Sequence, residues 1–423
     1  MKVFKFGGAS VKDAASVKNV ASILNLFPDE KLIVVASAMD KTTNALEKVV
    51  HAVFHEKENV VNRLNEVKEF HQNILNELFA DVHHPVYQRV NNFFVEIEWL
   101  TEEQPRSFNF VYDQIVSIGE LVSTAIVSAY LDSVKIKNSW FDIRDGLITD
   151  NTYREAKVHW GLSRQLLSKK ISPFLTENHI VITQGFIGST SENYTTTLGR
   201  EGSDYTAAIL AHIFDAESVS IWKDVAGVFN ADPKYFPDAQ KLEQISYLDA
   251  IELAYFGASV IHPKTIKPLE NKNIPLMVKS FRNPSSKGTV IAKDAETKPL
   301  VPSYIFKRDQ VLISLSAKDF SFIAEENLSG IFSCFAQYGI KLNLMQNSAI
   351  SFSVCVDDDN EKVPVLIERL QQEYKVLYNK NLELYTIRHY FPSTIESLTH
   401  NREILLEQRS RNTVQVVMKK DAG

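Results

Sequence analysis

The stretch Lys5-Phe6-Gly7-Gly8-Ala9-Ser10 (residues 5–10) follows only four residues, Met-Lys-Val-Phe. Val3–Phe6 reads as a short strand, and Val11–Leu26 carries a helical pattern. Two glycines at the joint let the backbone turn sharply and approach a ligand closely. Free N–H groups at a helix start attract an anion, and Lys5 at the strand end adds a full positive charge. The G-x-x-x-x-G-K spacing of a P-loop is absent. Alone, a Gly-Gly turn between strand and helix is most often structural, so its meaning rests on what surrounds it.

Outward from that turn, short apolar runs alternate with longer amphipathic ones. Strands are expected at Val3–Phe6, Leu32–Ser37, Ile136–Phe141, Ile180–Gln184, Ser218–Trp222 and Ile274–Lys279. The alternation predicts an α/β fold: a mostly parallel sheet with helices on both faces. Residues 44–101 break the rhythm and read as a helical insertion. His51 and His55 share a helix face there, but no neighbouring group completes a metal-ligand set. These two, with His71, His83 and His84, are expected at the surface.

A boundary is expected near 283–303, where Pro, Ser, Lys and Asp accumulate. The reading divides the chain into 1–295 and 300–423. After the boundary, strand 311–317, helix Glu325–Tyr338, two strands (IKLNLMQ and ISFSVCV), helix Val363–Tyr374 and strand LELYTIRHY spell β-α-β-β-α-β. That is a ferredoxin-like α+β unit, about 309–390. A helix over Thr394–Gln408 and a strand over Thr413–Met418 suggest a second, partial one.

The chain has 423 residues, a length that predicts two or three domains with a large core. Its net charge of -6 argues against a nucleic-acid partner. Two cysteines, Cys334 and Cys355, cannot make a disulfide framework and are expected as buried thiols. With no signal-peptide run and no long uninterrupted apolar window, the expectation is a soluble cytoplasmic protein with no membrane partner.

Three further loops share the design of the first. Ser37 ends a strand, and Lys41-Thr42-Thr43-Asn44 opens a helix, with Thr43 or Asn44 as its expected cap. In TLGREGSDYTAA (197–208), Arg200 sits between two glycines, Ser203 is placed to cap a helix, and Asp204 falls in its first turn. In IWKDVAGVFNADP (221–233), a polar, proline-closed loop follows a strand, at the sheet edge where ligands bind.

Taken in order, KFGGAS, SAMDKTTN, Gly119-Glu120, GREGSDY, KDVAGVFNADP and FGASVIHP (256–263) resemble aspartate kinase, in the amino-acid kinase fold. The C-terminal units resemble its ACT regulatory domains. The resemblance implies ATP- and Mg2+-dependent phosphorylation of the side-chain carboxylate of L-aspartate, the first step to lysine, threonine and methionine. It implies that Lys5 neutralises the ATP phosphates, lined by Gly7, Gly8 and Ser10, while Asp204 organises the lysine and metal region. Glu120 would meet the substrate ammonium and Arg200 its α-carboxylate, with Ser37, Thr43 and Ser203 adding hydrogen bonds. Lys223, Asp224, Phe229, Asp232, Pro233 and Ser259 lie where the family holds the nucleotide. Asn343, Gln346 and Asn347 lie where an amino-acid effector, lysine or threonine, would bind, and pairing of ACT units implies a homodimer. The resemblance implies a single-activity kinase without a fused homoserine dehydrogenase domain.

The departures carry their own expectations. Ser259 stands where the family commonly has a lysine, and Lys223, where it has a threonine, is expected to compensate. Ala9, Asp40, Glu201 and Asn230 replace the family's Thr, Gly, Gly and Thr. Two rivals remain: a kinase for another amino acid such as glutamate, and a non-catalytic amino-acid sensor.

Overall fold

The structure is a computed structural model that describes residues 1–102, 104–177, 179–258, 261–319 and 321–420. It divides into two units. The first comprises Met1–Val228, Lys241–Ile251 and Val260–Thr297, and the second Phe229–Gln240, Glu252–Ser259 and Lys298–Gly423.

The first unit is built on strands β1 (Lys2–Phe6), β2 (Leu32–Ala36), β3 (Ser139–Phe141), β4 (Ile180–Gln184), β7 (Ser218–Lys223), β8 (Gln244–Ser246), β9 (Leu276–Ser280) and β10 (Thr289–Ala292). They form one sheet in the order β3-β4-β2-β1-β7-β9-β10-β8. Only the β9–β10 pairing is antiparallel. β2 and β4 are apolar-rich and buried at every residue, as central parallel strands are. A small hairpin, β5 (Ile187–Ser189) and β6 (Thr195–Thr197), stands apart. The expected boundary stretch, 283–303, contributes β10 to this sheet through a hairpin from β9, and the division between the two units falls within it, after Thr297.

Alternation along β1 sends Phe4 and Phe6 to one side and Lys5 to the other. On the first side Phe4 and Phe6 pack with Trp222, Phe27 and Phe281. The helix α1 (Ala14–Leu24) lies there too, Asn19 Nδ2 donating to Phe281 O at 2.8 Å. Trp222 is fully buried, with no hydrogen-bond acceptor for its Nε1.

The insertion consists of α2 (Thr42–His55), α3 (Val60–Leu78) and α4 (Pro85–Glu102). His71, expected at the surface, is fully buried: it falls on the same stripe of α3 as Leu64, Val67, Ile74 and Leu75. His51 and His55 do share one face, their rings tilted by 40° with centroids 5.6 Å apart. Next come α5 (Phe108–Val116) and α6 (Ile118–Ser133). This stretch is long and apolar enough to cross a bilayer, but 83% of the qualifying window is buried inside the protein, which accounts for its apolarity. Helices α7 (Trp160–Glu177), α8 (Gly202–Ile213), α9 (Tyr247–Phe256) and α10 (Pro263–Glu270) complete the series.

The second unit carries a six-stranded antiparallel sheet. Its strands are β11 (Ser303–Ala317), β12 (Leu342–Asn347), β13 (Ser351–Asp357), β14 (Tyr374–Arg388), β15 (Ile404–Arg409) and β16 (Thr413–Lys419), in the order β12-β13-β11-β14-β16-β15. With α11 (Glu325–Gln337) and α12 (Lys362–Gln371) the first half is a complete ferredoxin-like unit. The second half has α13 (Pro392–Thr399), β15 and β16. Its remaining strands are the N-terminal half of β11 and the C-terminal half of β14. Where a helix over 394–408 was expected, the helix ends at Thr399 and Ile404–Arg409 pairs with β16. Cross-strand pairing outweighs the helical propensity of Leu, Glu, Gln and Arg there. Register shifts at Lys307/Gln310 and Gln310/Leu312 interrupt the β11–β14 ladder between the two halves. Leu312, Leu344 and Cys355 from one half then meet Leu382, Leu384 and Val417 from the other. Both thiols are free; Cys355 is buried as expected, but Cys334 only partly so.

Trp222→Ala should cost about 3–5 kcal/mol of stability, as large aromatic truncations in a core do. Trp222→Phe should cost far less, because it also removes an unpartnered buried N–H. Denaturant midpoints of the two variants check this ordering.

Candidate active site

Chain order reverses direction around β1: β2, β4 and β3 lie to one side, β7 and β9 to the other. Loops leaving such a switch point diverge and open a crevice at the carboxyl ends of the strands. Lys5, near the end of β1, points away from the aromatic core and meets α8. Its Nζ lies 2.6 Å from Asp204 Oδ1. Lys223, the last residue of β7, brings its Nζ to 3.7 Å from Asp204 Oδ2. Asp204 is fully buried in the first turn of α8, where the helix dipole favours a carboxylate. Burial pushes its carboxyl up, but the two ammoniums prevail and hold it below the usual carboxylate range. One carboxylate facing two ammoniums leaves the cluster with a net positive charge.

The KFGGAS turn is tighter than a simple strand-to-helix joint. Gly8–Ser10 is a single 3-10 turn, and α1 begins only at Ala14, capped by Asp13, whose side chain accepts from Ser16 N. Gly8 is required by its neighbours: a Cβ there would lie 2.8 Å from Ala38 O and 2.9 Å from Asp40 O. Gly7 would place a Cβ 3.4 Å from Lys5 Nζ. Asp40 N donates to Gly8 O and Ser37 N to Phe6 O, so the first two loops are stitched together. The Ser10 hydroxyl is spent on Trp222 O at 3.1 Å, tying the turn to β7. The other two expected caps differ as well. The start of α2 has Lys41 at its N-cap and no side-chain cap, and α8 starts at Gly202 after Glu201.

Beside the cluster lies a cleft of about 820 Å³, lined by Lys5, Ser37, Thr43, Glu120, Arg200 and Ser203, six of the residues singled out in the sequence. Glu120 opens α6 and is buried, and one of its oxygens, Oε2, has no hydrogen-bond partner. Burial pushes its carboxyl up to about 8, against the opposing pull of the Ala38 N–H and the Lys5 charge. Ser203 approaches Gly185 so closely that a Cβ on Gly185 would sit 2.4 Å from its own. Arg200 is exposed at the cleft and pairs with no carboxylate among the described residues.

The cleft also contains residues the sequence reading passed over, notably Glu47, Tyr112, Arg154 and Phe186. Tyr112 Oη donates to Glu47 at 2.7 Å, and the Arg154 guanidinium lies 4.4 Å from the Tyr112 ring centroid. Arg154 N and Thr197 N and Oγ1 all donate to the buried Asp113 carboxylate. The polar run DNTYRE (150–155), after the isolated bridge residues Ile148 and Thr149, was the one available signal for this wall. Four non-glycine residues in or beside the cleft adopt left-handed backbone: Asp40 (φ 46), Arg154 (φ 72), Phe186 (φ 70) and Glu201 (φ 55). Two of them, Asp40 and Glu201, are departures noted in the sequence, where the resemblance implies glycine; the left-handed backbone they hold is one that glycine adopts most readily.

The remaining candidates fall elsewhere. Asp224 is exposed in the loop after β7. Phe229, Asp232 and Pro233 belong to the second unit, where Asp232 Oδ1 accepts from Lys234 N at 2.9 Å. Asn230, also there, bonds Gln240 N and Pro302 O. Ser259 lies outside the described residues. Asn343 on β12 is committed internally, accepting from Lys307 and donating to Gln310 and Asp357, while Gln346 and Asn347 are exposed. Among the described residues no group of three or more His, Cys, Asp or Glu is placed to hold a metal ion.

A model of the amino acid kinase family matches residues 1–280. The lysine-sensitive aspartokinase 3 of Escherichia coli is 32% identical over 361 residues, covering 84% of this chain and 78% of that one. The chloroplastic aspartokinase 2 of Arabidopsis thaliana is 31% identical over 383 residues, covering 88% and 69%. Among solved structures, E. coli aspartokinase III in complex with lysine and aspartate superposes with a TM-score of 0.84 at 27% identity, over 99% of this chain and 95% of that one. The same enzyme with aspartate and ADP gives 0.82 at 27% identity, over 99% and 96%. Likeness of this extent, on a chain that builds its cleft at the same family's motifs, places the protein in the amino acid kinase family, among the aspartate kinases.

Proposed function

We propose that the enzyme transfers the γ-phosphoryl group of ATP to the side-chain carboxylate of L-aspartate, giving 4-phospho-L-aspartate, the first step toward lysine, threonine and methionine. The observation that carries this is the buried Lys5–Asp204–Lys223 cluster beside a cleft lined by a buried acid, Glu120, and by the exposed guanidinium of Arg200. Aspartate has one ammonium and two carboxylates, and the cleft offers a partner for each kind. The relatives solved with aspartate and with ADP support the same assignment.

The acceptor carboxylate is already ionised at neutral pH, so the reaction needs no general base. What the protein supplies is alignment and neutralisation of charge on the group in flight. Lys5 is fixed by Asp204 and faces the glycine turn, where only a side-chain-free backbone fits against Ala38 and Asp40. Lys223 adds a second cation at the same carboxylate and makes up the charge absent at Ser259. Glu120 takes the substrate ammonium, Arg200 its α-carboxylate, and Ser37, Thr43 and Ser203 surround them. Mg2+ fits as a partner of the nucleotide phosphates, since Asp204 is already engaged by two ammoniums. The second unit serves as the regulatory half, answering to an amino-acid effector of the lysine class. A homodimer formed through it is supported by the exposed end of its edge strand β12, at Met345, Gln346 and Asn347.

The decisive experiment is ATP turnover with and without L-aspartate, trapping the acyl phosphate as a hydroxamate, repeated with lysine and with threonine. Aspartate-dependent hydroxamate is expected; its absence, with amino-acid binding retained, would indicate a sensor instead. Lys5→Ala should lower kcat by about 10²–10³-fold, the usual loss for one preorganised charge-stabilising group. Lys223→Thr should lower kcat as well, and unchanged turnover would remove it from the phosphoryl-transfer site. Burial raises the Glu120 carboxyl to about 8, which favours its protonated form at neutral pH, and it must lose that proton to receive an ammonium. The KM for aspartate should therefore fall by up to about tenfold per pH unit as pH rises toward 8, and Glu120→Gln should weaken binding and flatten the profile.

A further inference from the structure

His71 stands on α3, in the helical insertion, fully buried with its ring edge-on to Phe70 and tilted against Phe94. Its Nδ1 lies 2.7 Å from Val67 O. A carbonyl oxygen only accepts, so Nδ1 carries the proton and Nε2 presents a lone pair. That lone pair faces the Thr42 hydroxyl, at a long 3.4 Å, and Thr42 is itself buried. Burial pushes the imidazole down to about 4, which keeps the ring neutral and its acceptor available at physiological pH.

Thr42 is the first residue of α2, whose start has no side-chain cap. Its methyl packs on Gly119: a Cβ built there would be 3.1 Å from Thr42 Cγ2. The residues that follow these two contacts in sequence, Thr43 and Glu120, both line the cleft. One hydroxyl held from behind thus sets the rotamer whose methyl spaces two substrate-facing residues.

We propose that His71 is a positioning residue for the aspartate site: it fixes Thr42, and through the Thr42–Gly119 contact it sets the separation of Thr43 and Glu120. The inference rests on the reading of that cleft as the aspartate site. It gives the insertion a role in substrate affinity, although His71 does not itself line the cleft.

The test uses the full-length enzyme, with KM for aspartate and for ATP measured separately. His71→Phe keeps the shape and removes the acceptor; Thr42→Val keeps the methyl and removes the hydroxyl. Each should raise KM for aspartate about tenfold, the worth of one buried hydrogen bond, with KM for ATP within about twofold. The double variant should be no worse than either single one. His71→Gln, whose amide oxygen reaches the Nε2 position, should restore most of the affinity. An unchanged KM for aspartate in folded His71→Phe or Thr42→Val overturns the proposal, as does failure of Gln to rescue. If His71→Phe does not fold, Thr42→Val decides the matter. Absence of aspartate-dependent turnover in the unmodified enzyme overturns the cleft reading first, and the role of His71 with it.

Discussion

The site is organised around a carboxylate that has left water. Asp204 is fully buried, and a lone buried carboxylate would take up a proton rather than stay charged. It remains ionised because Lys5 and Lys223 reach it from two adjacent parallel strands. The dependence runs both ways: Asp204 is the carboxylate that both ammoniums face. The register of β1 against β7 and the docking of α8 are therefore conditions for the charge arrangement as well as for the core. The aromatic packing of Phe4, Phe6 and Trp222 holds that register from the opposite side of the same strands.

Around this fixed centre the cleft wall is built from turns that local sterics disfavour. Asp40, Arg154, Phe186 and Glu201 each hold a left-handed backbone without being glycine, at a cost on the order of 1 kcal/mol or more apiece. Such residues persist only where the surroundings over-determine them. Here the stitching of Asp40 to Gly8 and of Arg154 to Asp113 does so.

The sequence made the glycine turn, the strand–helix alternation and six lining residues of the cleft legible, because each depends on local chemistry: glycine where backbones touch, a cation at a strand end, an acid in a first helical turn. What it concealed is set by distant parts of the chain. Ile404–Arg409 reads as helix by propensity and becomes a strand only because β16 offers it a partner. Arg154 enters the cleft through Asp113, 41 residues away in sequence. Nor does local sequence show that the Ser10 hydroxyl donates to Trp222 O, 212 residues away. The burial of His71 was legible after all, since its position continues the apolar stripe of α3; polarity was given more weight than period.

In the second unit, β11 and β14 are each 15 residues long and run through both half-units. The halves are thus joined by two continuous backbones as well as by their shared apolar contact. Neither half can melt while the other stays intact without tearing ladder hydrogen bonds from strands it still uses. Shared strands of this kind favour opening of the pair as one cooperative block. A displacement imposed at the β12 edge must cross the ladders of β13, β11, β14 and β16 to reach β15, and the two long strands carry it from one half to the other within their own backbones.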